Sequence, residues 1–154
     1  MTSTLHSFLS NKSSLILKKL IFTLVFALST LFGFAQDTGV NITVTIDNVT
    51  SDKGTVKLSL HTADTFMKGK GVMNAESKIK DGKITVTFKN VVAGDYAIIS
   101  FHDANDNNQM DFRENGMPLE SYGMSNNPMS FGPPNYDDAK FTVAEKDLEL
   151  NIKF

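Results

Sequence analysis

The chain has 154 residues, a formal net charge of −2 at pH 7 and no cysteine. This length suits one domain with a hydrophobic core and is short for two. The lack of cysteine excludes a disulfide-stabilised secreted module, and the acidic balance makes nucleic acid and anionic lipid poor partners.

The beginning of the chain has the organisation of a secretory signal peptide. Lys18-Lys19 precede an apolar run over residues 20–34, and Gly33-Phe34-Ala35 is a small-x-small cleavage pattern. The run is short for a membrane span, so a retained anchor is the less favoured alternative. We therefore expect residues 1–35 to be removed and residues 36–154 to form one domain in the periplasm, outside the cell or at the cell envelope.

The exported part alternates apolar and polar residues with the period of β-strands. Residues 96–101 are apolar on both faces, which is typical of a central strand. Residues 63–70 have weak periodicity and predict a helical turn or a short loop. The predicted strands cover residues 40–46, 56–60, 84–88, 96–101, 141–143 and 148–154.

Strands this short and this closely spaced predict an all-β fold. We expect a two-layer antiparallel β-sandwich of about seven strands, of the immunoglobulin-like or prealbumin-like kind, with an open barrel as the alternative. Residues 115–138 are rich in Gly, Pro, Asn and Met and show no periodicity, so they predict one long loop. Such a loop in a compact domain is usually functional or is held in place by a ligand.

Residues 103–114 carry oxygen-bearing side chains at the spacing of a 12-residue calcium loop. Position 6 holds Asn108 where Gly is usual, and Asn is the residue that most often replaces Gly at positive φ. The strand before the loop and the Gly and Pro residues after it exclude the helices of an EF-hand. We predict one calcium ion on a β-scaffold. Its predicted ligands are the side chains of Asp103, Asn105, Asn107, Asp111 and Glu114 and the carbonyl of Gln109.

The alternative for this segment is a loop without a metal. Asp and Asn favour turns because their side chains form local hydrogen bonds with the backbone. Under that interpretation the loop is an ordinary solvated connection between strands.

No segment has the pattern of a catalytic site, so an enzyme is the less favoured class. The alternative function is a periplasmic hydrolase with His102, Asp103 and Glu120 in its site. A His at the end of a strand is more often packed or hydrogen-bonded. A pocket around His102 with converging carboxylates would favour the hydrolase, whereas a buried His102 would favour a binding module.

Several short motifs of the exported part occur together in one known family. They are Gly94-Asp95-Tyr96-Ala97-Ile98, His102-Asp103-Ala104-Asn105, Asp111, Gly116-Met117-Pro118-Leu119-Glu120, Tyr122-Gly123-Met124-Ser125-Asn126, Gly132-Pro133-Pro134 and Asp138-Ala139-Lys140-Phe141. In this combination they resemble the DUF2141 family, exported bacterial proteins of unknown function. The resemblance implies that residues 103–114, the acidic loop, and residues 115–138, the Gly/Pro segment, belong together. The family commonly has Gly in the acidic loop, where this chain has Asn107-Asn108.

A more distant resemblance concerns residues 91–96, Val-Val-Ala-Gly-Asp-Tyr. This step is similar to one in transthyretin-like and collagen-adhesin B-type sandwich domains, which implies architecture and not activity.

The expected role is that of a binding or structural module of the cell envelope. Residues 115–135 are the predicted ligand-facing surface, with the aromatic residues Tyr122, Phe131 and, nearby, Tyr136. Aromatic and Asn side chains beside a calcium site suit carbohydrate or peptide, and another envelope protein is the further partner class. We expect no nucleic acid partner and no membrane span in residues 36–154.

Overall fold

The computed structural model describes residues 39–129 and 132–154. The predicted signal peptide, residues 1–35, and the aromatic residue Phe131 lie outside these ranges. The elements are β1 (Val40–Ile46), β2 (Thr55–His61), β3 (Met73–Lys78), β4 (Ile84–Val91), β5 (Gly94–Asp103), β6 (Tyr122–Met124), the helix α1 (Tyr136–Ala139), β7 (Phe141–Val143) and β8 (Leu148–Asn151). No helix within these ranges is long and apolar enough to span a membrane.

The strands form two sheets, which confirms the predicted all-β, two-layer fold. The smaller sheet has the order β4-β1-β8, and the larger has the order β3-β2-β5-β6, with β7 pairing with the start of β5. The described pairs are antiparallel except β1 and β8, which run parallel from Ile42 opposite Leu148 to Thr45 opposite Asn151. Because β7 pairs with β5, the chain crosses between the sheets before β8, and this crossover permits the parallel pair.

The core lies between the sheets and follows the period of two. In β1 the residues Val40, Ile42, Val44 and Ile46 are buried, and the polar residues between them are half-buried. Alternate residues of β2 and β5 cover this face from the other sheet, because side chains point to opposite faces in turn. Val56, Leu58, Leu60, Tyr96 and Ile98 belong to the same buried cluster. Burial of each such apolar side chain contributes about 1.5–3 kcal/mol.

A second, smaller apolar cluster covers part of the outer face of the larger sheet. Its buried members are Phe66, Ala97, Met124 and Ala139. Phe66 comes from the segment predicted as a turn or loop, and the structure has a turn there. The ring of Phe66 makes edge-to-face contacts with His61 at 5.9 Å and Tyr136 at 5.6 Å between centroids. This cluster therefore connects β2, β5, β6 and α1.

The imidazole of His61 is buried beside Phe66, and its Nδ1–H donates to the carbonyl of Thr65 at 3.1 Å. Burial lowers the pKa of His61 from its ordinary 6.5, and the hydrogen bond to Thr65 opposes this effect. The folded state therefore takes up the proton less readily than the unfolded chain does.

We predict that stability falls in mildly acidic solution because of His61. The stability that neutral His61 contributes to the folded state is fully present above the pKa of His61 in the unfolded chain, about 6.5. It is lost as the pH falls towards the lower pKa of His61 in the folded state. Thermal melts of the wild type and of His61→Gln at several pH values between about 5 and 8 measure this. The wild type should lose more stability than the variant on acidification, and equal losses would contradict the prediction.

The structure places three elements that the sequence analysis did not predict: β3, β6 and α1. Residues 115–138 were expected to form one loop, but they contain β6 and most of α1. β3 is an edge strand whose inward residues Met73 and Ala75 are only half-buried. Its sequence accordingly needs few large apolar residues and shows only a weak apolar pattern. β6 has three residues, too few for a periodic pattern to be recognised, and forms by pairing with β5.

Candidate metal site

The acidic loop begins where β5 ends, and the alternation of the strand decides which side chains face it. His102 points between the sheets, is 4% exposed, and its Nε2–H donates to the carbonyl of Lys53 at 2.6 Å. Asp103, the next residue, points to the outer face of the larger sheet. The structure therefore does not bring together the His102 and Asp103 side chains that the hydrolase alternative requires.

The carboxylate of Asp103 organises the first half of the loop. It is fully buried, and its two oxygens accept the N–H groups of Asn107 at 3.0 Å and Asn108 at 2.8 Å. Asp106 and Asn108 have φ values of 55° and 66°, so the chain turns tightly through the left-handed region around Asp103. Asn tolerates this region better than most residues, as expected for position 6 of the loop.

Two lysines hold the loop on the sheet. Lys57 of β2 donates to Asn108 Oδ1 at 2.9 Å and lies 3.8 Å from the buried carboxylate of Asp103. Lys78 of β3 donates to Asp106 Oδ2 at 3.0 Å, and the hydroxyl of Thr55 donates to Asp106 Oδ1 at 2.6 Å. The Thr55 hydrogen bond, followed by that of Lys78, lowers the pKa of Asp106. The sheet thus supplies cations opposite the loop carboxylates.

Three predicted ligands converge across the loop. Asn105 Nδ2 donates to Asp111 Oδ2 at 2.7 Å, and Asn107 Nδ2 lies 3.1 Å from both carboxylate oxygens of Asp111. The amide oxygens of the two asparagines accept backbone N–H groups, from Asn107 at 3.1 Å and Gln109 at 2.8 Å. Positions 3, 5 and 9 of the predicted loop therefore face one another.

The carboxylate that closes the loop is Glu120. Its Oε1 accepts the N–H of Ala104 at 2.9 Å, and its Oε2 accepts the N–H of Asp111 at 3.2 Å. Glu114, the predicted last ligand, is exposed in the turn of a hairpin. Residues 111–119 form this hairpin, with hydrogen bonds from Leu119 N–H to the carbonyl of Asp111 and from Arg113 N–H to that of Met117.

Glu120 is the residue of this site that sequence reasoning placed elsewhere, in the alternative hydrolase site. It reaches the loop because β6 returns antiparallel beside β5, where His102 N–H donates to the carbonyl of Ser121 at 2.9 Å. Recognition of β6 in the sequence would have provided the signal, since the residues just before that strand must lie beside the end of β5.

Within residues 39–129 and 132–154, no group of three or more His, Cys, Asp or Glu side chains is arranged to hold a metal ion. The three carboxylates of the predicted ligand set, Asp103, Asp111 and Glu114, are thus not gathered at one point. The loop instead presents a mixed set of carboxylate and amide groups, and oxygen donors of this kind suit a hard cation.

Comparison with known proteins decides the family. A family model described as an uncharacterized protein conserved in bacteria (DUF2141) matches residues 44–151. The chain belongs to the DUF2141 family. The match extends from β1 to the end of β8, and it confirms the family predicted from the motifs. No curated protein matches.

Among solved structures, a pilus-presented adhesin, Spy0125 (Cpa), is similar to this DUF2141 protein. The similarity covers 77% of this chain and 27% of the adhesin, with 13% identity and a TM-score of 0.26. The chain therefore spans about a quarter of the length of the adhesin. A TM-score this low supports no conclusion about function.

The end of β6 in this DUF2141 protein is connected to the rest of the fold by Ser125, Asn126 and Asn127. The buried hydroxyl of Ser125 accepts the N–H of Ile98 at 2.9 Å and donates to the carbonyl of Ala139. Asn126 Nδ2 donates to the carbonyl of Lys140 at 2.8 Å, and Asn127 bonds the backbone just after β8. These hydrogen bonds give the three residues a structural role that is sufficient to explain their presence.

The surface beside the site is apolar at the hairpin. Phe112, Met117 and Leu119 are 58%, 60% and 57% exposed, and Tyr122 is 39% exposed.

Tyr136, expected near the ligand-facing surface, instead packs against Phe66 and donates to the carbonyl of Asp95 at 2.9 Å. Burial, followed by nearby carboxylates, raises the pKa of Tyr136.

Proposed function

We propose that this DUF2141 protein is exported to the cell envelope and acts there as a binding or structural module whose acidic loop holds one calcium ion. The observation that carries the proposal is the convergence of Asn105, Asn107 and Asp111 at hydrogen-bonding distance, next to the buried carboxylate of Asp103. These are positions 1, 3, 5 and 9 of the calcium-loop spacing.

The donor set would bind calcium after a rearrangement of the two asparagine side chains. The NH₂ groups of Asn105 and Asn107 now face the carboxylate of Asp111. An amide carries a donor and an acceptor at its two ends, so rotation of each amide would turn an oxygen towards Asp111. The rotation would also give up the hydrogen bonds that these oxygens now accept from the N–H groups of Asn107 and Gln109. A cation would then stabilise the charge of Asp111 in place of the hydrogen bonds that the two NH₂ groups now donate.

Glu120 completes this set better than Glu114 does. Calcium loops end in a carboxylate that binds through both oxygens. Both oxygens of Glu120 already lie against backbone N–H groups of the loop, at Ala104 and Asp111. We therefore propose Asp103, Asn105, Asn107, Asp111 and the carbonyl of Gln109 as ligands, with Glu120 in the role that spacing gave to Glu114.

The hairpin of residues 111–119 is the proposed contact surface. It shares Asp111 with the metal loop, so an ion bound there would fix the hairpin relative to the sheet. Its exposed residues Phe112, Met117 and Leu119, with Tyr122 nearby, are suited to carbohydrate, to a peptide or to another envelope protein.

A calcium titration of residues 36–154, followed by the melting temperature, tests the proposal. A ligand that binds only the folded state stabilises it by about 2.7 kcal/mol at a hundred times its Kd. A site at the weak, extracellular end of the range, with Kd on the order of 10⁻⁴ M, reaches this at about 10 mM calcium. We expect the melting temperature to rise by several degrees with calcium and less with magnesium. No rise at millimolar calcium would contradict the proposal.

Two matched variants test which glutamate binds. Glu120→Gln should weaken the response to calcium, because one charge of the ligand set is removed. Glu114→Gln changes the same chemical group at an exposed turn and should respond like the wild type. If Glu114→Gln weakens the response to calcium and Glu120→Gln does not, Glu114 is the last ligand.

A further inference from the structure

The hairpin turn after the acidic loop contains the single Asn-Gly step of the sequence, Asn115-Gly116. Both residues are exposed, and a Cβ built on Gly116 would meet no other atom within 4 Å. The peptide nitrogen of Gly116 is therefore free of the side-chain shielding that every other residue type would add. We infer that Asn115 is a site of spontaneous deamidation in the folded protein.

The reaction needs only water in addition to the chain. The Gly116 nitrogen attacks Cγ of Asn115, and the bond between Cγ and Nδ2 breaks. The NH₂ group takes up the proton of the attacking nitrogen and leaves as ammonia. The product is a five-membered succinimide. Water then opens one of its two C–N bonds, which leaves either aspartate or isoaspartate at position 115.

The side chain of Asn115 is hydrogen-bonded within the turn that contains the attacking nitrogen. Asn115 Oδ1 accepts the N–H of Met117 at 3.2 Å, and the ring that this hydrogen bond closes contains both Cγ of Asn115 and the nitrogen of Gly116. The same hydrogen bond polarises the side-chain carbonyl, which makes Cγ a better electrophile. Gly116 has a φ of 79° and, as a glycine, passes readily through the conformations that ring closure requires.

One contact opposes the reaction. The N–H of Gly116 donates to the carbonyl of Arg113 at 2.8 Å, so this hydrogen bond must open before the nitrogen attacks. It lies at the exposed end of a hairpin, where local opening costs little free energy.

Other asparagines are less suited to the reaction. Asn126 is followed by Asn127, whose side chain hinders attack, and the amide of Asn126 is fixed to the carbonyl of Lys140. Asn127 is followed by Pro128, which has no N–H to release. We therefore expect Asn115 to react first.

The product alters the hairpin. A carboxylate at position 115 adds a negative charge next to Glu114, and isoaspartate also lengthens the backbone by one atom within the turn. The turn that presents Phe112 and Met117 would be reshaped, so the apolar surface of the protein would change with its age.

Incubation of the purified exported protein under native conditions at mildly alkaline pH tests the inference, with peptide mass spectrometry and isoaspartate-specific enzymatic methylation as readouts. The peptide with Asn115 should gain the mass of an amide-to-acid conversion before any other peptide does. Earlier conversion at another asparagine, or conversion of Asn115 in denatured but not in native protein, would overturn it. These readouts do not depend on calcium, so they stand apart from the metal proposal.

Two variants serve as controls. Asn115→Gln should abolish the early conversion, because its longer side chain disfavours ring closure, and Gly116→Ala should slow it, because a methyl group then hinders the attacking nitrogen. If Gly116→Ala converts as fast as the wild type while it keeps the wild-type melting temperature, the proposed route is wrong.

Discussion

Gly123→Ala is expected to destabilise the domain by about 3 kcal/mol or more, because it overpacks the contact between β6 and the C-terminal end of the chain. A Cβ built on Gly123 would lie 2.3 Å from the carbonyl oxygen of Lys153 and 2.8 Å from Cγ2 of Ile152. The first of these atoms belongs to the backbone, so the whole segment after β8 would have to move. Urea denaturation of the wild type and the variant measures the loss.

Gly69→Ala is the control, because it introduces backbone strain without the steric clash expected at Gly123. Gly69 has a φ of 134°, but a Cβ built there meets nothing within 4 Å. Its substitution should cost only the strain of a non-glycine residue at positive φ, about 1 kcal/mol. Equal losses in the two variants would mean that the segment after β8 moves away without cost and that the close approach at Gly123 does not matter.

The importance of Gly123 was not visible in the sequence, whereas most strands were. The apolar alternation of β1 fixes its buried face, and the structure has the same residues buried, from Val40 to Ile46. Gly123 lies in a segment with no such alternation, and three residues of β6 are too few to show one. Its role follows from the pairing of β6 with β5 and from the passage of the chain end over it, which are long-range contacts that local patterns do not contain.

The candidate site also has one part that local spacing predicts and another that only long-range contacts determine. Spacing alone predicted that Asn105, Asn107 and Asp111 face one another, because they belong to one short coil whose turns are set by local hydrogen bonds. Spacing also assigned Glu114 to the end of the coil, as in a loop followed by a helix. Here the chain enters a hairpin instead, and the carboxylate at the loop comes from Glu120, placed by sheet pairing.

Asp103→Ala is expected to remove about 2–4 kcal/mol of stability and to abolish the response to calcium. The substitution leaves the N–H groups of Asn107 and Asn108 without their acceptor in a buried position. Lys57 loses the nearby buried carboxylate but keeps Glu76 at 3.0 Å, so the cost stays below that of an isolated buried charge. Urea denaturation and melting curves with and without calcium measure the two effects.

Asp137→Ala is the matched control, because Asp137 is exposed and contacts only Lys140, at 3.8 Å, among the charged groups of the described residues. It should change stability by less than about 0.5 kcal/mol and leave the response to calcium intact. If Asp103→Ala is destabilised but its melting temperature still rises with calcium as in the wild type, then Asp103 organises the loop without binding the ion. Loss of both, beside an unchanged control, is the result expected if one carboxylate both folds the loop and occupies its first ligand position.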